Sequence, residues 1–230
     1  MKAFIVCGYG IPEDIHKDQN YLTYLHVVFN RIYAEAKNEP ALIIPCGGPT
    51  SCTPPYIGTE AEKIGEYLQE LMGRDVLNGA TKIWRIILED TSLSSLENFL
   101  FAKRIIEENK GDRVTAFCEA TRVSRNQETI DHLFGKGKVR AEGIDFDISK
   151  NRYLPNDIVE KKEHAEREHA RWALESEENL AKHHAFFEEK FQKLRTWQAE
   201  GMSHVDAVTK WFTESIQQFE EKEKEKNGII

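Results

Sequence analysis

Ala3-Phe4-Ile5-Val6-Cys7-Gly8-Tyr9-Gly10 is the stretch that decides the fold. Five consecutive apolar residues, stopped at once by two glycines, read as a strand buried on both faces that ends in a tight turn. The same pattern recurs at 41–46, 82–88, 114–118 and around 144–148. Between these runs, segments 21–36, 59–72, 94–108 and 123–134 place apolar residues at helical spacing. Short apolar strands alternating with amphipathic helices specify βαβ units. The expectation is an α/β, Rossmann-like parallel sheet of about five strands with helices on both faces. Right-handed crossovers then bring every strand-to-helix loop to one edge of that sheet.

After Pro155 the character changes. Residues 151–230 hold 13 Lys+Arg and 17 Asp+Glu, about 38% charged against about 27% for residues 1–150. Val205, Val208, Phe212, Ile216 and Phe219 make an apolar stripe, and Leu180, Phe187, Phe191 and Leu194 make another. Gly201 separates the two, and Ser203 suits an N-cap. These signals predict an antiparallel helical hairpin, 157–199 and 203–225, with a charged terminus at 220–226 that frays. The domain expectation is 1–150 for the sheet and 151–230 for the charged C-terminal hairpin.

The 230 residues are 40% hydrophobic and carry a net charge of -8. That balance disfavours nucleic acid and anionic membrane as partners. No run approaches eighteen apolar residues, so no transmembrane helix is expected. Met1-Lys2 leads directly into the first strand, which leaves no room for a signal peptide. With that, Cys7, Cys46, Cys52 and Cys118 are expected to be reduced thiols in a cytoplasmic protein.

The loops carry the candidate chemistry. Gly8 and Gly10 follow the first strand as in a dinucleotide-binding turn, although Glu13 stands where a third glycine belongs. Gly47 and Gly48 end the second strand beside Thr50 and Ser51, a composition that suits a backbone cradle for an anion or an irregular turn. Thr59…Glu62, Ser94…Glu97 and Ser124…Gln127 each fit the capping-box spacing. Capping leaves Glu60, Glu89, Asp90, Ser92, Asn98, Arg122 and Arg125 unaccounted for, all predicted at the same sheet edge. Arg122 and Arg125 form a candidate fork for phosphate or carboxylate. Glu60 and Glu89 are the candidate general bases, because partial burial tunes a carboxylate toward neutral pH.

Taken in order, Gly8; Cys46-Gly47-Gly48; Thr59-Glu60-Ala61; Glu89-x-x-Ser92-x-x-Ser95-x-Glu97-Asn98; and Cys118-Glu119-x-x-Arg122-x-x-Arg125 resemble the motifs of the SanA/YdcF/ElyC-like family. The resemblance spans about residues 3–148, and its specific part is the stretch from Glu89 to Asn98. It departs from the family pattern at Cys46, Ser95, Glu119 and Arg122, the last standing at the family's histidine. An arginine that stays protonated cannot take over acid/base work from a histidine. The resemblance implies a Rossmann-like domain that binds a small anionic or nucleotide-like ligand, with S-adenosylmethionine or a nucleotide as cofactor candidates. It also implies a group-transfer or hydrolytic reaction as the enzymatic version of that role.

Other constellations are weaker. The cysteines lack a Cys-x-x-Cys spacing, so no metal is expected. Cys46 as an activated thiol is a third class of chemistry, without a histidine placed beside it. Glu166-x-x-His169 has the spacing of a di-iron pair but no second copy. Trp172, Trp197, Trp211, Phe186, Phe187 and Phe212 supply more aromatic surface than two helices bury against each other. A homodimer through the C-terminal helices is therefore left open. The non-enzymatic alternative is a ligand sensor or scaffold that uses the hairpin for self- or partner binding.

Overall fold

The structure is a computed structural model that describes residues 1–8, 10, 14–51, 54–145 and 156–226, the backbone alone at 156–157 and 219–226. Tyr9, Glu13, Cys52, residues 146–148, Pro155 and the Phe219 side chain therefore lie outside the described parts. The chain divides into two compact units, Met1–Lys150 and Asn151–Ile230.

In the first unit, β1 (Lys2–Cys7), β2 (Ala41–Cys46), β3 (Trp84–Ile86), β4 (Arg113–Glu119) and β5 (Val139–Ile144) form one parallel sheet in the order β3-β2-β1-β4-β5. The connecting helices are α1 (Gln19–Ala36), α2 (Glu60–Met72), α3 (Ser95–Glu108) and α4 (Val123–Phe134). Side-chain alternation divides the core into two layers. Phe4, Val6, Ile43 and Phe117 meet Tyr21, Tyr24, Leu25, Val28 and Ile64 of α1 and α2. Ala3, Ile5, Cys7, Leu42 and Cys118 meet Phe99, Ala102, Ile106 and Ile130 of α3 and α4. Each fully buried Leu, Ile or Phe in these layers contributes about 1.5–3 kcal/mol of transfer free energy. Chain order runs outward from β1 through β2 to β3, then resumes at β4 on the other side. The loops after β1 and β4 thus diverge at a topological switch point, the place where open parallel sheets receive ligands.

Two strands differ from their sequence expectation. The last strand is Val139–Ile144, earlier than the predicted 144–148. It is an edge strand whose apolar residues alternate with Arg140 and Glu142, so it lacks the continuous apolar run that marks a strand buried on both faces. β3 is shorter than 82–88, yet the chain keeps to β2 beyond it through Ile87 N to Ile43 O (3.0 Å) and Glu89 N to Pro45 O (2.9 Å).

The second unit holds three helices, α5 (Asn156–Ala173), α6 (Glu177–Ala199) and α7 (His204–Lys226). The expected pair is present as α6 and α7, with Phe186 against Trp211 at 5.3 Å and Lys210 over the Trp197 ring at 4.4 Å. The predicted first arm, 157–199, is two helices. Ser176 caps α6 by accepting from Asn179 N (3.1 Å), and Asn179 Nδ2 donates to Trp172 O (2.9 Å) at the end of α5. Those local bonds offer the backbone an alternative to continuing the helix. The third helix also absorbs aromatic surface that two helices could not. His169 of α5 sits among Trp172, His183 and Phe186 in an aromatic core. Ser203 accepts from Asp206 N (3.1 Å), as an N-cap does. Val205, expected in the buried stripe, lies in the first turn and is exposed, and 220–226, expected to fray, is helical backbone.

Candidate functional site

Buried polar groups are expensive unless something satisfies them, so their placement is informative. Among the described residues twelve polar or charged residues are buried, and nine of them gather at the carboxyl edge of the sheet: Ser51, Glu60, Glu89, Ser92, Glu97, Asn98, Glu119, Arg125 and Asn126. They form three groups.

The first surrounds Glu60, the first residue of α2. Its Oε1 accepts from Gly10 N and from the Tyr21 hydroxyl (3.1 Å). A Cβ at Gly8 would lie 2.1 Å from the Glu60 Cδ, and one at Gly47, where φ is +136°, would lie 2.7 Å from its Cβ. These glycines were expected to open the backbone to a ligand, but the room they leave holds the Glu60 side chain. Burial pushes the Glu60 carboxyl above its ordinary value, against the opposing pull of the Gly10 N–H, Arg122 and Tyr21.

The second group follows β3. Glu89 Oε1 accepts from Thr91 N (3.1 Å), the Thr91 hydroxyl (3.0 Å) and Ser92 N (3.0 Å). The Ser92 hydroxyl lies against both Glu89 Oε2 and Asn98 Oδ1. One hydroxyl proton cannot serve two acceptors, so the second contact needs a proton on Glu89 or an Asn98 amide turned to donate. Burial raises the Glu89 carboxyl, against the opposing pull of the Ser92 and Thr91 hydrogen bonds. The Asn98 side chain also favours the ionised form of the Cys7 thiol, against the larger effect of burial. Asp90, counted with the site from sequence, is exposed.

The paired glycines do not form an anion cradle. Gly47 N donates to Glu89 O (2.9 Å) and Gly48 N to Ser92 O (2.7 Å). Their carbonyls in turn accept from Ala61 N (2.9 Å) and Glu60 N (3.3 Å). The loop therefore consumes its own donors and closes the start of α2, where Thr59 and Glu62 complete a reciprocal capping box. Ser94 caps α3 by accepting from Glu97 N (3.2 Å), and the Glu97 carboxylate accepts from Leu93 N (2.6 Å).

The third group begins α4. Arg122 Nη1 donates to Gly8 O (3.3 Å), and its Nε lies 3.4 Å from Glu119 Oε2. It thus spans the switch point between β1 and β4. The predicted Ser124…Gln127 box does not form. A 3-10 turn over Ala120–Arg122 leads straight into α4, whose N-cap is Arg122 without a side-chain cap. Gln127 turns to the sheet, donating to Val139 O (3.0 Å) and accepting from Ala141 N (2.7 Å). Arg125 is buried beside Asn126 in the same turn.

Comparison with protein-family models, curated proteins and solved structures finds no match. The site's chemistry is therefore read from its own residues.

Cys7, Cys46 and Cys118 are buried, and burial pushes all three thiols up. Cys46, fully shielded, is not an accessible nucleophile. Among the described residues no three His, Cys, Asp or Glu side chains converge as a metal site, and no helix is long and apolar enough to cross a membrane. Sequence reasoning missed Tyr21, Thr91 and Asn126. Tyr21 and Asn126 read as parts of amphipathic helices, but first-turn positions after parallel strands point to the functional edge. That topological rule was the available signal.

Proposed function

We propose that this chain binds a small anionic or nucleotide-like molecule at the carboxyl edge of its sheet, as the resemblance to the SanA/YdcF/ElyC-like family implies. The observation that carries the reading is the gathering of nine buried polar residues at that edge, which includes the β1/β4 switch point. Arg122 and Arg125 serve the anionic group, with Gly8 and Gly10 lining the approach. Gly47 and Gly48 support the site from behind by seating Glu60 and the Glu89 loop. Glu60 and Glu89, both raised by burial, are the groups to exchange a proton if a group-transfer or hydrolytic step occurs there. Ser92 and Asn98 hold Glu89 in place.

The test is thermal shift with nucleotides, S-adenosylmethionine and sugar phosphates. A ligand at a hundred times its Kd adds about 2.7 kcal/mol of stability. A stabilising anionic ligand whose affinity falls in Arg122→Ala supports the reading, and unchanged affinity by calorimetry removes the arginine from it.

A second reading is favoured by the division of the chain into two compact units, the helical one with its own aromatic core. In it the sheet unit senses the ligand without turnover, and the helices bind a partner or a second copy. Ligand-dependent self-association in analytical ultracentrifugation, with no product formed from the bound ligand, is its signature.

A further inference from the structure

The Asn126 side chain is 1% exposed, and neither its amide nitrogen nor its amide oxygen makes a hydrogen bond. The Cys118 thiol is near enough for the amide to favour its ionised form, but not in hydrogen-bonding geometry. A buried amide in this state forgoes both of its polar partners, which native cores seldom tolerate without a reason. Its position supplies one. Asn126 is in the first turn of α4, four residues after Arg122, and helical side chains lean toward the N-terminus. The amide lies beside the Cys118 thiol near the carboxyl end of β4, in the first turn of a helix that has no side-chain cap. The helix start is held there firmly, since a Cβ on Gly143 of β5 would lie 2.5 Å from Val123 Cγ2. At α1, α2 and α3, by contrast, Asp18, Thr59 and Ser94 satisfy the first turn.

We infer that Asn126 is a specificity-determining residue for a nucleobase-type ligand. Its amide presents a donor and an acceptor side by side. The complementary group is a planar edge with an acceptor next to a donor, as adenine offers in its ring nitrogen and amino group. The inference rests on the small-ligand reading above and deepens it. The ligand's anionic group draws Arg122 from the Gly8 carbonyl, and the base edge meets the Asn126 amide four residues further along α4.

The experiment measures binding of adenosine 5′-monophosphate and ribose 5-phosphate to the full chain by calorimetry, for wild type and Asn126→Leu. The wild type binds the nucleotide at least tenfold more tightly than the sugar phosphate. Asn126→Leu removes the unsatisfied amide, so the unliganded chain melts at the same temperature or higher. It binds both probes with the affinity the wild type has for ribose 5-phosphate. Nucleotide affinity unchanged in the variant, or lost for both probes alike, overturns the inference and leaves the anion site standing. Equal binding of the two probes by the wild type does the same. Binding of neither probe by the wild type overturns the small-ligand reading as well. If Asn126→Leu does not fold, Asn126→Ser carries the same test, with the same loss of discrimination expected.

Discussion

Two strand-to-helix loops at one sheet edge are built on opposite principles. The loop after β2 carries the glycines, the hydroxyls and the N-cap that suggest an anion cradle. It spends the N–H groups of both glycines on Glu89 O and Ser92 O, and its carbonyls and Thr59 close the start of α2. The loop after β4 has no glycine and looks unremarkable in composition. It leaves α4 without a side-chain cap, sets an arginine across the switch point and buries an amide with no partner. A glycine-rich loop is thus no measure of ligand contact until its N–H groups are accounted for.

The largest expected effect tests the first loop as a packed structure. A Cβ at Gly48 would lie 2.6 Å from Ser92 O and 2.8 Å from the Thr91 carbonyl carbon, backbone that cannot swing away. Gly48→Ala is expected to cost about 3 kcal/mol in chemical denaturation, the upper range for overpacking. Gly10→Ala meets nothing within 4 Å and bears only the strain of φ +131°, about 1 kcal/mol. Equal losses at the two sites would break the comparison.

The second loop answers in ligand binding. Arg122→Ala is expected to weaken ribose 5-phosphate by about tenfold or more, the loss of a charge-assisted hydrogen bond. Thr59→Ala, in the other loop, leaves that affinity unchanged by calorimetry. A phosphate affinity that follows Thr59 and ignores Arg122 would transfer the anion site to α2.

A pH series sharpens what the first loop protects. Glu60 is raised above its ordinary value of 4.5 by burial, so the folded chain holds its proton more tightly than the unfolded chain. That stabilisation is fully present below the ordinary value and is lost as pH rises through the folded one. The wild type should therefore lose stability relative to Glu60→Gln as pH climbs from 4.5, read from urea midpoints. A difference that grows in the other direction would show that the Gly10, Tyr21 and Arg122 contacts hold Glu60 as an anion.

The smallest effect separates two identical spacings. Thr59 caps α2 and Ser124 does not cap α4. Thr59→Ala should cost about 1 kcal/mol and Ser124→Ala less than about 0.5 kcal/mol. Thermal unfolding of both variants decides it.

Most of the sheet unit was legible because its signals are local. Four apolar runs bounded by turns gave four strands, and α1 to α4 begin and end within two residues of their predicted limits. β5 was misplaced because an edge strand buries one face and breaks its apolar run with Arg140 and Glu142. The α5–α6 break was missed because Leu174-Glu175-Ser176 contains neither Gly nor Pro. Only the bonds of Ser176 and Asn179 end one helix and start the next. Within the site, Glu60 and Glu89 were legible as polar residues in excess of capping needs. Tyr21 and Asn126 were not, since an amphipathic pattern explains both without a ligand.

By itself the sequence determined the alternation of strand and helix, the parallel sheet and the edge to which its loops come, because hydrophobic periodicity and short connections act over a few residues. Only the tertiary structure decided what each loop does with its hydrogen-bonding groups. Gly8 and Gly47 lie 39 residues apart in the chain, yet together they make the space for one carboxyl, and Arg122 reaches back 114 residues to Gly8. Whether a donor is spent or left over depends on partners that far away, and no local pattern records them.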